Sequence, residues 1–300
     1  MKILIVGGSG FVGEYLSRFF IKKGYHVIAT GMRPHHILES ADRFAYVSTD
    51  TTLPGPWQDR VLDVDAVINL AGRNIFRYWT DKTKRQIHRS RILTTRNVVM
   101  ALGPKQDTVL LNTSAIGYYG DQGDTILKES SPAGDDFLAH VSMDWEKEAL
   151  QAEAKSARVA LLRFSVILGK NGGALNKMLP AFKSFAGGPL GSGRQWFSWM
   201  HIQDLAAAVD MILVKKDLRG PFNFCAPHPE RNHTFAKALG HALGRPAFMK
   251  MPSIVLRLAM GEMGSVMLAS QRCLPDRLQR HGFEFRFPNL EMALEDLLNG

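Results

Sequence analysis

Three things are scarce in this 300-residue sequence. Cysteine is the first: Cys225 and Cys273 stand far apart in no CxxC pair, which leaves neither a disulfide framework nor a thiolate metal site, so no metal is expected. Two unpaired thiols suit a reduced, cytoplasmic setting. Long apolar runs are the second: no segment reaches the about 18 residues needed to cross a bilayer. Ile3–Val6 meets Gly7 too soon to be the apolar core of a signal peptide, and no membrane partner is expected. Acidic charge is the third, with 28 Asp and Glu against 37 Lys and Arg for a net charge of +9. A basic balance favours anionic partners: nucleic acid, anionic lipid, or a phosphorylated cofactor and substrate. No nucleic-acid-binding motif is present, so that partner is set aside.

What is there reads as an ordinary globular chain, 45% hydrophobic and 22% charged, long enough for one large α/β domain or a Rossmann domain with a cap. Lys2–Val6 is a strand, Gly7–Gly13 a glycine-rich turn, and Glu14–Lys23 a helix ending at Gly24. Strand candidates follow at Tyr25–Thr30, Ala66–Leu70, Val109–Asn112 and the long apolar run Val159–Leu168, with helices at Lys82–Leu102 and Met143–Ala154 between them. Alternating strands and helices imply right-handed crossovers and a mostly parallel sheet. After Gly169 glycines punctuate the chain; a helix at Gln203–Val214 and a strand at Pro221–Cys225 follow, then a mainly helical stretch from Thr234 to Gly300. The expected fold class is α/β: a Rossmann-type doubly wound parallel sheet over 1–168, to which 203–225 returns, and a smaller, mainly helical C-terminal substrate region within 169–300.

Glycines at 7, 10 and 13 leave the first strand and open a helix. Glycine lets the chain turn tightly and brings backbone N–H groups against a pyrophosphate at the positive end of the helix. That makes Gly7, Ser9, Gly10, Phe11, Val12 and Gly13 candidate dinucleotide contacts. At the end of the second strand, where NAD-binding proteins place Asp or Glu, stands Thr30-Gly31-Met32-Arg33, with no carboxylate before Glu39. Arg33 can fork onto a ribose 2′-phosphate, so NADP is preferred to NAD. Leu70, Ala71 and Gly72 close the Ala66–Leu70 strand with small residues that admit the coenzyme.

GGSGFVG (Gly7–Gly13), NLAG (Asn69–Gly72) and TSA (Thr113–Ala115) together resemble the extended short-chain dehydrogenase/reductase superfamily. SAIGYYG (Ser114–Gly120), GGALNKMLP (Gly172–Pro180) and GGPLGSGRQWFSWMHIQDL (Gly187–Leu205) narrow the resemblance to its epimerase family, nucleotide-sugar epimerase-like proteins with a C-terminal domain of unknown function. The resemblance implies a nicotinamide coenzyme, a substrate cleft under the cap, Thr113 among the coenzyme contacts, and Ser114 as the catalytic residue that orients the substrate oxygen. It also implies that the basic helix carrying Lys82, Lys84, Arg85, His88, Arg89, Arg91 and Arg96 borders the coenzyme, with Ser90 or Arg91 facing the phosphates.

One departure outweighs the matches. Such enzymes use a YxxxK pair, the lysine tuning a phenol whose ordinary pKa of about 10 makes it a poor base at neutral pH. In FLAHVSMDWEKE (Phe137–Glu148) Val141 and Trp145 stand at those positions; Lys147 lies two residues out of register, about 200° around a helix. Tyr118 and Tyr119 are the substitutes the sequence offers. Arg194 is a candidate clamp for a substrate phosphate, and Gln195 and Trp196 are candidate substrate contacts. His201 and Asp204 read as structural. Two functions remain open: an NADP-dependent epimerase or oxidoreductase acting on a nucleotide-sugar or similar polar small molecule, and an NADP-binding sensor or interaction protein without turnover.

Overall fold

The computed structural model describes residues 1–103 and 108–299. The N-terminal elements are β1 (Lys2–Val6), α1 (Phe11–Lys22), β2 (His26–Gly31), β3 (Phe44–Ser48), α2 (Asp59–Leu62), β4 (Ala66–Asn69), α3 (Asp81–Ala101), β5 (Val109–Ala115), β6 (Ile126–Leu127), α4 (Phe137–Leu150) and β7 (Arg158–Phe164). They continue through β8 (Val166–Leu168), α5 (Gly173–Lys183), β9 (Trp196–Phe197), β10 (Trp199–His201), α6 (Ile202–Val214) and β11 (Gly220–Phe224). β12 (Glu230–Arg231), α7 (Asn232–Ala242), α8 (Ser253–Met260), α9 (Glu262–Leu268), β13 (Arg272–Cys273), α10 (Asp276–Arg280) and α11 (Leu290–Asn299) complete the chain.

Seven strands form one parallel sheet in the order β11-β7-β5-β4-β1-β2-β3. The order reverses between β1 and β4, the switch point above which doubly wound sheets bind ligands. Ile3–Val6 are buried on both faces, as a covered parallel strand requires. One apolar layer packs α1 and α6 on the sheet through Leu16, Phe20, Leu205, Val209 and Ile212. The opposite layer joins Leu4, Val6 and Val67 to Val98 and Val99 of α3 and Ala149 of α4. A separate core holds the C-terminal region, where Phe235 and Leu239 of α7 meet Leu290, Leu294 and Leu297 of α11.

Several elements differ from the sequence reading, each for a local reason. α1 begins at Phe11 rather than Glu14, because Gly10 stands extended as its N-cap. α4 begins at Phe137, ahead of Met143, because Asp136 caps it by accepting from the Ala139 N–H at 2.8 Å. The apolar run Val159–Leu168 is two strands: the chain leaves the main sheet at Ser165, and β8 pairs instead with β10. β3 was not expected; only Phe44 of it is buried, in keeping with its place at the sheet edge.

Candidate coenzyme and substrate site

The glycine turn is held from both sides. The Gly8 N–H donates to the Thr30 carbonyl at 2.7 Å, and the Gly10 N–H to the Gly7 carbonyl at 3.1 Å. Gly7 has φ +82°, and a Cβ there would fall 2.9 Å from the Ala71 nitrogen. A Cβ on Gly13 would lie 2.6 Å from the Gly8 Cα. At Gly10 the place of a Cβ is open apart from the Gly7 carbonyl at 3.3 Å, and no side chain caps α1. The first-turn N–H groups of α1 therefore face that space without a side-chain acceptor. A diphosphate fits this setting: donors, dipole and room coincide. Phe11 is fixed by glycines further along the chain; a Cβ on Gly172 would come within 2.2 Å of its ring.

Around the end of β2, Ser9 fills the space over Gly31, where a Cβ would fall 2.1 Å from its Oγ. Arg33 is largely exposed and pairs with Glu14 at 2.7 Å, while its carbonyl accepts from the Tyr46 hydroxyl at 2.8 Å. His36, which the sequence reading passed over, joins this corner. Its Nε2 lies 3.1 Å from the Gly8 carbonyl and its Nδ1 takes the Leu38 N–H at 3.0 Å, the pattern of a neutral ring carrying its proton on Nε2.

Leu70, Ala71 and Gly72 follow β4 beside this turn, the Leu70 N–H donating to the Val6 carbonyl at 2.8 Å. Gly72 lies against the guanidinium of Arg91, whose Cζ would be 3.1 Å from a Cβ there. The other side of Arg91 faces the Trp145 ring, 5.1 Å from its centroid. Nη1 of Arg91 donates to the carbonyls of Ile87 (3.0 Å) and Arg73 (3.2 Å). Burial pushes Arg91 down to about 10. Ser90 holds the same loop, its Oγ accepting from the Arg73 N–H at 3.0 Å.

The polar residues of β5 divide. The Oγ1 of Thr113 is buried with no hydrogen-bond partner. Ser114 does not present its hydroxyl to the space above the sheet: it is buried and donates to Glu146 of α4 at 2.7 Å. Glu146 also receives a two-pronged pair from Arg163 of β7, Nε and Nη2 each at 2.8 Å. Arg163 Nη1 donates to the Tyr119 hydroxyl at 2.9 Å, and that hydroxyl donates to Asn223 of β11 at 2.7 Å. Ser114, Arg163 and Asn223 are cross-strand neighbours in register, so one sheet face supplies the network. Burial lowers the affinity of Arg163 for its proton, but Glu146 overrides it and the net shift is upward. Burial raises Tyr119.

These positions correct the expectation for the tyrosines. Tyr119 is fully buried, with its hydroxyl committed to Arg163 and Asn223, and is not free to reach a coenzyme. Tyr118 is held face-on by the Arg163 guanidinium, 3.6 Å from its centroid. It lines a shallow cavity of about 310 Å³ with Met143, Glu146, Lys147, Leu150 and Gln151, around α4 from Trp145 and Gly72. At the YxxxK positions, Val141 lies in an apolar cluster with Trp79, Ile87 and Met263 of α9, and the Trp145 indole donates to Thr95 at 2.9 Å.

The Gly191–His201 loop also departs from expectation. Gln195 is buried: its side-chain amide donates to the Leu190 carbonyl at 3.0 Å, and its main-chain carbonyl accepts from the Asn232 N–H at 2.9 Å. Trp196 is half-buried: Arg231 and Arg272 lie 4.0 Å and 4.3 Å from its ring centroid, and its indole donates to Asp124 at 2.9 Å. Arg194 is exposed beside them. Three arginines thus gather about one tryptophan, with Asp124 pairing Arg231 at 2.7 Å. The sequence reading found Arg194 but missed Arg231 and Arg272, which lie far apart in the chain. No group of His, Cys, Asp or Glu suited to a metal ion occurs among the described residues.

A doubly wound sheet with an uncapped glycine turn at its first crossover defines a Rossmann-type dinucleotide-binding protein. Residues 3–225 match the model of the NAD dependent epimerase/dehydratase family, and residues 251–297 match a domain of unknown function, DUF1731. The chain belongs to the NAD dependent epimerase/dehydratase family. It is 36% identical to "Epimerase family protein SDR39U1 homolog, chloroplastic" of Arabidopsis thaliana, over 99% of this chain and 87% of that one. It is 37% identical to "Epimerase family protein SH2119" of Staphylococcus haemolyticus, over 99% of both. Among solved structures, the human epimerase family protein SDR39U1, crystallised with NADPH, superposes with a TM-score of 0.89 at 30% identity over the whole of both chains. A nucleoside-diphosphate sugar epimerase from Corynebacterium glutamicum superposes with a TM-score of 0.78 at 30% identity, over 99% of this chain and 58% of that one.

Proposed function

We propose that this protein binds NADP(H) and works as an oxidoreductase or epimerase of the extended short-chain type on a nucleotide-sugar or similar anionic, polar substrate. The observation that carries the reading is the uncapped N-terminus of α1 beneath Gly7–Gly13, packed on Ala71. Gly7, Ser9, Gly10, Phe11, Val12 and Gly13 hold the diphosphate; Leu70, Ala71 and Gly72 line its path; Thr113 offers an unused hydroxyl. Arg33, with no acidic residue on its own strand end, receives the 2′-phosphate. The NADPH held by the human relative supports this choice. Residues 169–300, less the returning 203–225, form the substrate cap, and Arg194, Arg231 and Arg272 receive the substrate's phosphates. The name of the Corynebacterium relative supports that substrate class. The nicotinamide, when bound, supplies hydride chemistry; the chain's own residues bind, orient and exclude water. Of the three candidate catalytic residues, Ser114 and Tyr119 are engaged in the Glu146–Arg163 network, and only the Tyr118 hydroxyl is without a protein partner among the described residues.

A second reading, NADP binding without turnover, is favoured by one observation: the YxxxK positions carry Val141 and Trp145 in dry packing. A titration with NADPH and NADH, followed by a hydride-transfer assay over nucleotide-sugars and carbonyl compounds, separates the cases. Turnover that survives Tyr118→Phe removes Tyr118 from the mechanism. Tight binding with no turnover on any substrate supports the second reading. Absence of binding to either coenzyme by folded protein overturns both.

A further inference from the structure

We propose that the face formed by α8 and the chain around Phe185 and Phe248 is a docking surface for an anionic lipid bilayer, on which the protein rests without crossing it.

The argument begins with where the charge lies. Residues 169–203 and 231–261 contain no Asp or Glu and carry nine Lys and Arg, which equals the net charge of +9. The rest of the chain is balanced. The fold brings these two stretches side by side. The Met249 N–H donates to the Gly187 carbonyl at 3.2 Å and the Met251 N–H to the Pro189 carbonyl at 3.0 Å, while the Gly191 N–H returns to the Met251 carbonyl at 2.8 Å. The Arg245 guanidinium lies over the Phe185 ring, 4.7 Å from its centroid.

Apolar side chains project from the same place. Phe185, Met249 and Met251 are exposed, Phe248 is 72% exposed, and Ile254 and Leu258 of α8 are 70% and 78% exposed. Ile254 and Leu258 are four residues apart and so share one side of the helix. Leu256, about 200° around from Ile254, is the buried residue of α8. The helix thus turns to water a face that an ordinary amphipathic helix turns to a core. Scattered exposed apolar residues need no explanation, but a contiguous group rimmed by charge marks a contact surface.

Charge complementarity decides the occupant. A second copy of this chain would set like charges against each other. Lys183, Lys250 and Arg257 are exposed and pair with no carboxylate among the described residues. An anionic bilayer satisfies both features at once: the apolar tips enter the boundary between headgroups and acyl chains, and the long basic side chains reach the phosphates. The scarcity of long apolar runs bears on crossing a bilayer, not on resting upon one. No described helix is long and apolar enough to cross, so the contact is with the surface.

Co-sedimentation of the full chain with vesicles tests this, using phosphatidylcholine alone and phosphatidylcholine mixed with phosphatidylglycerol. The wild type is expected to bind the mixed vesicles, to bind the neutral ones far less, and to be released by salt. Each basic residue near an anionic surface contributes about a fivefold factor, so Lys250→Gln with Arg257→Gln should weaken binding about tenfold or more. Ile254→Ser with Leu258→Ser should weaken it about tenfold or more through lost apolar burial. All four side chains face solvent, so the melting temperature and NADPH affinity of both variants should match the wild type. Failure of the wild type to bind mixed vesicles overturns the inference, as does equal binding to both kinds. Wild-type binding by both double variants also overturns it, because the contact then lies elsewhere. Capture of polyglutamate without capture of vesicles would identify an acidic protein segment as the occupant instead. A dimer that Ile254→Ser with Leu258→Ser dissociates, in protein that binds no vesicles, would identify a second copy; either result overturns the lipid assignment.

Discussion

At the scale of single residues, the glycine turn is where sequence and geometry agree most directly. Gly13 is glycine because its Cα faces backbone: a Cβ would meet the Gly8 Cα at 2.6 Å and the Gly7 and Gly8 carbonyl oxygens at 2.7 Å, none of which can move aside like a side-chain tip. Forcing a methyl into such a contact costs about 1–3 kcal/mol. Gly13→Ala is therefore expected to lower the melting temperature and weaken NADPH binding about tenfold or more, as read by calorimetry. Arg33 makes a different demand. It is exposed and its pair with Glu14 contributes little to stability. Arg33→Ala should leave the melting temperature unchanged and weaken NADPH about tenfold or more while sparing NADH. Equal losses for both coenzymes would show that Arg33 does not read the 2′-phosphate. His36 escaped the sequence because nothing in TGMRPHH marks which ring folds back onto Gly8; that depends on where β3 places Phe44 and Tyr46 against it.

At the scale of elements, the parallel sheet was legible because buried strands are short apolar runs divided by glycine and helical periodicity. What the sequence concealed is what adjacent strands do to polar residues inside those runs. Arg163 in VALLRF looks like one charge in an apolar strand; cross-strand register sets it between Ser114 and Asn223 and beneath Glu146. The same register takes Ser114 out of the substrate role that its motif suggested, since the side chain faces α4. Glu146 and Arg163 are almost wholly buried, with side-chain exposures of 8% and 4%. Removing one partner of such a pair strands the other charge and typically costs about 3–5 kcal/mol. Glu146→Gln should thus lower stability by several kcal/mol in chemical denaturation, while Tyr119→Phe, which removes one hydroxyl from the network, should cost only about 1–3 kcal/mol. If Glu146→Gln unfolds at the wild-type midpoint, the network does not hold α4 to the sheet.

At the scale of the whole molecule, the C-terminal region is tied to the sheet layer at the start of α6. Asp204 accepts the N–H groups of Arg286 and Phe287 at 2.8 Å and 3.0 Å. His201 stacks on Phe287 at 3.9 Å, and its Nε2 lies 3.3 Å from Asp296 of α11. The Nδ1 of His201 also caps α6, accepting the Gln203 N–H at 3.1 Å, which requires a neutral ring. Burial pushes this histidine down to about 4, overcoming the upward pull of Asp296, with Arg286 and Lys170 adding to the fall. The sign of the resulting pH dependence follows. Between about 6.5 and 4 the unfolded chain binds a proton that the folded one refuses, so stability present above 6.5 is lost as pH falls through that window. Asp204, raised by its own burial, works in the opposite direction at the acid end, so wild-type melting alone does not isolate the histidine. His201→Asn does, since asparagine caps a helix without titrating. Melting temperatures of the two proteins should converge near pH 4 and separate above pH 6.5, with the wild type gaining more from the rise. Parallel curves would mean that His201 keeps the same charge in both folded and unfolded chains, and that the join between sheet and cap does not sense acid through it.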